Sequence, residues 1–138
     1  MSREILFKAK RADNGEWVEG YVVKRVHNEG EFLDGKIKWE MIKVDYIFPE
    51  IEDCCYKIIP ETLCQFTGLR DKHGNRIWEN DIVQSNEFEL KGVIIFDEYC
   101  RFMIRDIATN STYLTARNNE DIAVIGNIFD NSELLSER

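Results

Sequence analysis

The chain has 138 residues, 43% of them apolar, enough to bury roughly two-thirds of its unfolded surface in a core that needs no disulfide or metal. That composition excludes intrinsic disorder. Apolar runs reach only four residues, as in Val93–Phe96, which excludes a membrane-spanning helix of about 20 residues. The formal charge of −8 repels phosphate backbones and argues against sequence-blind nucleic-acid binding.

Taken in order, the chain reads as strands and turns. Met1–Lys8 has no apolar stretch long enough for a signal peptide, so a cytoplasmic protein is expected. Asn14-Gly15 between Phe7–Lys10 and Trp17-Val18 predicts a hairpin, because Asn-Gly supplies the positive φ such turns require. Gly20–Val26 is β-branched and predicts a strand. Residues 28–36 are polar and turn-rich, and Ile37–Phe48 predicts a further strand ending at Pro49. Residues 49–54 form an acidic loop, and Tyr56–Ile59 a short strand stopped by Pro60. Residues 60–66 fit one helical turn or an extended segment, with Pro60 followed by Glu61 favouring the turn.

Asp71–Asn75 predicts a turn with Gly74 at its positive-φ position. Arg76–Trp78 is a short strand, and Glu79-Asn80-Asp81 turns into Ile82-Val83. The clearest hairpin joins Gly92–Phe96 to Cys100–Asp106 through Asp97-Glu98-Tyr99. On its second arm Cys100, Phe102 and Ile104 share one face, and Arg101, Met103 and Arg105 the other. Residues 108–112 turn the chain. Ile122–Ile128 is a last strand interrupted by Gly126, and Asn131–Leu135 starts a short helix capped by Asn131 or Ser132. No segment sustains a 3.6-residue apolar period, which argues against a helical bundle. The fold class expected is mainly β with minor α, built from antiparallel strands and hairpins. It forms one domain over 1–138, subdivided near 50–60 into an N-terminal β part (1–55) and a C-terminal part (60–138).

The sequence nominates no catalytic, cofactor-binding or metal-binding residue, and no enzyme is expected. Cys54, Cys55, Cys64 and Cys100 contain no Cys-x-x-Cys pair, and His27 and His73 belong to no metal signature. Reduced thiols are the expectation for a cytoplasmic chain. Nucleophile and phosphate-loop patterns are absent. Asp97 and Glu98 read as solvated turn residues, whereas Asp81 is placed to bond the backbone amides of its turn. Trp17, Trp39 and Trp78 fit core positions better than a stacking platform. Residues 1–28 carry six Lys/Arg against four Asp/Glu, so Arg3, Lys8, Lys10, Arg11, Lys24 and Arg25 are the candidates for a basic face.

The stretch Pro60-Glu61-Thr62-x-x-Gln65-Phe66-Thr67-Gly68-Leu69-x-Asp71-x-x-Gly74-x-x-Ile77-Trp78-Glu79-x-Asp81-Ile82-Val83 resembles the central motif of the YopX family of phage and prophage proteins. Arg3–Lys10, Gly15–Gly20 and Val124–Asn131 with Glu133-Leu134-Leu135 resemble that family's two ends. Asn80 departs from the glycine common there, and Asn also tolerates positive φ. The family has no assigned activity and offers no catalytic residues. Its motif reads as architecture, with Gly68, Asp71, Gly74, Trp78, Asp81 and Gly126 as structural residues. The strand and turn order of the C-terminal half also looks like a small SH3-like barrel, a likeness silent on function.

The resemblance implies a phage or prophage accessory protein. With 16 aromatic residues to place in a small β domain, protein contacts are the expected mode of action, with itself as a homo-oligomer and with a host or phage protein. The alternative is a nucleic-acid-binding module using the barrel and the basic N-terminal segment.

Overall fold

The computed structural model describes residues 5–49, 54–85, 87 and 89–136. Arg3 and most of the acidic 49–54 loop lie outside the described residues, as do the side chains of Arg25, His27 and Trp39. The fold is mainly β and antiparallel, as expected. It divides into two compact units, Leu6–Leu63 and a second that begins at Cys64.

In the first unit, β1 (Phe7–Lys10), β2 (Trp17–Leu33), β3 (Lys36–Phe48) and β4 (Tyr56–Lys57) lie in the order β4-β3-β2-β1, each pair antiparallel. The Asn14-Gly15 turn joins β1 to β2. Gly15 has φ +72°, and the Asn14 side chain accepts from the Glu16 amide at 2.9 Å. Ala9, Ile47 and Ile58 are buried, with Val18, Val22, Tyr56 and Leu63 packed against them. Pro60–Thr62 forms one 3-10 turn, so the turn reading of that segment holds before the chain becomes extended. Thr62 locks it, its hydroxyl donating to Ile59 O at 2.7 Å and accepting from the Lys10 amide at 2.9 Å.

The largest departure from expectation lies in this unit. Residues 28–36 are not a long turn: β2 continues to Leu33, and only Asp34 and Gly35 turn the chain, at φ +51° and +74°. Asp-Gly supplies two adjacent positive-φ positions, so two residues suffice.

In the second unit, β5 (Cys64–Arg70) and β6 (Arg76–Trp78) form a hairpin. The strands β7 (Asp81–Ser85), β8 (Leu90–Phe96), β9 (Phe102–Asp106), β10 (Thr112–Leu114) and β11 (Ala123–Asn127) form an antiparallel sheet in the order β10-β9-β8-β7-β11. A short α1 (Thr115–Asn118) follows β10. Buried Ile77, Val83, Leu90, Ile94, Ile104 and Ile122 form the core, with Leu69, Phe102 and Val124 against it. Strands β10 and β11 are the edges of an open sheet, so the SH3-like barrel is not confirmed.

Two local readings change as well. Cys100 is exposed and sits in the turn at φ +61°, with β9 beginning at Phe102. Phe102 and Ile104 face the core together as expected, and Arg105 on the other face is exposed, but Met103 on that face is buried as well. The C-terminal Ser132–Leu135 is a 3-10 turn with no side-chain cap. The Asn131 side chain instead accepts from the Asn127 amide at 3.2 Å.

Candidate interaction surface

The polar residues singled out by the sequence serve the backbone of the second unit. Asp71 is 5% exposed. One carboxylate oxygen accepts from the amides of His73 and Asn75, each at 2.9 Å. The other accepts from the Val124 amide at 2.9 Å, tying the β5–β6 turn to β11. The Lys72 amide donates to Ile122 O at 3.0 Å across the same junction. Burial pushes the Asp71 pKa up, and the amides of Val124, Asn75 and His73 outweigh it, leaving the carboxyl below its ordinary value. Gly74, at φ +82°, closes the turn with its amide donating to Asp71 O at 3.0 Å.

Asp81 is 2% exposed, and its carboxylate accepts from the Trp78 amide at 2.8 Å. Asn80 beside it has φ +71°, and its amide donates to Ile94 O at 2.8 Å. Trp78 is buried, its ring 5.4 Å from that of Phe66. Gly68, at φ +84°, lies where the β5–β6 register shifts. Gly126 lies beyond the register shift of β11, and an added Cβ would run into the Asn131 side chain. Removing the Asp81 acceptor leaves a buried amide unsatisfied, so Asp81→Ala is expected to cost about 1–2 kcal/mol in urea unfolding.

Asp97 is more than a solvated turn residue. It accepts from the amides of Tyr99 and Arg101 at 3.0 and 2.9 Å and pairs with the Arg101 side chain at 2.9 Å. Burial raises its pKa, but these donors prevail and lower it. Among the described residues no group of three or more His, Cys, Asp or Glu is placed to hold a metal ion.

Lys8 and Lys10 lie over the Trp17 ring at 4.6 and 5.4 Å, a cation–π arrangement. Arg11 bonds Asp13 at 2.6 Å and lies 3.9 Å over the Tyr56 ring. The Asp13 bond raises the Arg11 pKa, and the Arg11 bond lowers that of Asp13. Lys24 lies farther along β2, exposed.

The surface that sequence reasoning missed is the far end of the β2–β3 hairpin. Strand β1 pairs with β2 only from Trp17 to Gly20, and β4 with β3 only at Tyr46 and Ile47. Beyond these contacts the two strands continue through nine register pairs, Arg25↔Val44 to Leu33↔Lys36, an arm of about 30 Å at the usual rise per residue. Phe32 and Ile37 face each other near its tip, 73% and 56% exposed. The readable signal was Asp34-Gly35, the dipeptide that most strongly marks a two-residue hairpin.

These features define a small antiparallel β protein whose motif residues hold turns and whose β2–β3 arm exposes Phe32 and Ile37. The family model described as "YopX protein" matches residues 7–136, and the chain belongs to the YopX family. No curated protein matches it. Among solved structures it is similar to protein EF1440 from Enterococcus faecalis, at 21% identity and a TM-score of 0.56, over 98% of this chain and 100% of that one. At that identity the likeness concerns the fold alone.

Proposed function

We propose that this YopX-family chain is a phage- or prophage-encoded accessory protein that catalyses no reaction. It acts in the host cytoplasm through protein contacts, with copies of itself and with a host or phage protein. The observation that carries this reading is the β2–β3 arm, which displays Phe32 and Ile37 to solvent. Large apolar side chains opposite each other on a projecting hairpin mark a contact surface more than a fold requirement. The motif residues support the reading from the other side, because the Asp71 and Asp81 carboxylates serve backbone amides.

The alternative, a nucleic-acid-binding module, draws on Lys8 and Lys10 over Trp17. Titration of labelled single- and double-stranded oligonucleotides at low and physiological salt separates the two. The proposal expects no saturable binding at either salt. Micromolar binding that weakens as salt rises is the signature of phosphate contacts and contradicts it.

A further inference from the structure

We propose that the outer edge of β3 pairs antiparallel with the same edge of a second copy, on a twofold axis through Trp39. The inference rests on the protein-contact reading above and names its partner and register. An isolated two-stranded hairpin is marginally stable in water, and a bare strand edge is a template for pairing. Within this unit and among the described residues, no strand pairs with the edge of β3 that faces away from β2 between Lys36 and Val44.

The charges on the arm select a second copy. Residues 25–43 carry Arg25, Lys36, Lys38 and Lys43 against Glu29, Glu31, Asp34 and Glu40, a balance of zero in a chain of −8. Two such arms therefore meet without the net repulsion that the rest of the chain would impose.

The geometry selects the register. Asp45 O accepts from the Ile58 amide at 3.2 Å, so Asp45 directs its backbone groups to the outer edge. Along the strand, 43, 41, 39 and 37 do the same. An antiparallel ladder matches outward residues with outward residues, which leaves only twofold registers centred on a residue. Centring on 37, 38, 40 or 43 sets like charges opposite each other, and 41 or 42 pairs no charges. Centring on 39 sets Lys38 opposite Glu40 twice and Ile37 opposite Met41 twice, with Trp39 opposite itself. Within the hairpin Glu40 is paired with Glu29, a like-charge placement that disfavours the isolated arm. The partner's Lys38 would relieve it.

Light scattering on the full chain over a concentration series tests this with Lys38→Glu, Glu40→Lys and the double variant. The wild type is expected above the monomer mass of 16.3 kDa at tens of micromolar. Each single variant sets like charges opposite each other twice, and its dissociation constant should rise at least about tenfold. The double variant restores opposite pairs and should return near the wild-type value. Glu40→Lys also replaces a like-charge register position, Glu29↔Glu40, by an opposite-charge one, so it opposes assembly while favouring the hairpin, and misfolding cannot account for its effect. An oligomer that none of the variants alters, or a double variant no better than the singles, overturns the arm pairing and leaves the protein-contact reading standing. A wild type that stays at 16.3 kDa overturns the pairing together with self-association.

Discussion

Asp71→Ala is expected to destabilise the second unit by about 3 kcal/mol, because three backbone amides lose a charged acceptor that is itself buried. Those amides belong to His73, Asn75 and Val124, so the turn and its hold on β11 fail together. Against a whole-domain stability of about 5–15 kcal/mol this is a large fraction. Equilibrium urea unfolding at neutral pH measures it, and a loss under about 1 kcal/mol would mean that water or relaxation satisfies the amides.

The same residue predicts an acid sensitivity. Its carboxyl is held below the ordinary value in the folded state, so its contribution is present above the unfolded-state value of about 3.9. It is lost as the pH falls through the lower folded-state value. Asp71→Asn removes the titrating group while keeping one acceptor oxygen. The stability gap between wild type and Asp71→Asn should therefore narrow below about pH 4. A gap that holds constant down to pH 2 would contradict the assignment.

Gly92→Val is expected to cost about 3 kcal/mol or more, or to prevent folding, through overpacking between strands. Gly92 lies in β8 opposite Asp106 of β9. A Cβ there would come within 2.6 Å of the Ile104 side chain and 2.8 Å of the Arg105 carbonyl oxygen. The carbonyl cannot give way without parting the ladder. Gly74 is the contrasting case: it has open space around it and a positive φ, so substitution there meets backbone strain alone, about 1–2 kcal/mol. Thermal melts of the two Val variants should therefore differ clearly, and equal melting temperatures would refute the close approach at Gly92.

The sequence was most legible where turn chemistry and local hydrogen bonds decide the backbone. Asn14-Gly15, Asp71–Gly74 and Asn80-Asp81 all appear as turns because each holds a residue suited to positive φ or an acceptor suited to nearby amides. Legibility failed where distant segments decide. Nothing local announces that the Asp71 carboxylate reaches Val124, 53 positions away. Strand β10 and helix α1 were missed because Ala108–Thr112 reads as turn chemistry, and Thr112–Leu114 becomes a strand only by pairing with β9. The barrel analogy is not confirmed for the same reason, since strand order alone does not determine whether a sheet's edges meet. The arm was hidden by polar residues at 28–31, which a two-sided solvated hairpin tolerates and a core strand does not.

Hydrogen exchange along β3, followed as a function of protein concentration, tests the central claim most directly. The amides of Ile37, Trp39 and Met41 are the ones an edge-to-edge pairing centred on Trp39 would cover. The account predicts that they exchange slowly at tens of micromolar and become fast on dilution below the association range, while the core amides of β8 stay protected throughout. Fast exchange of these three amides at every concentration would contradict it.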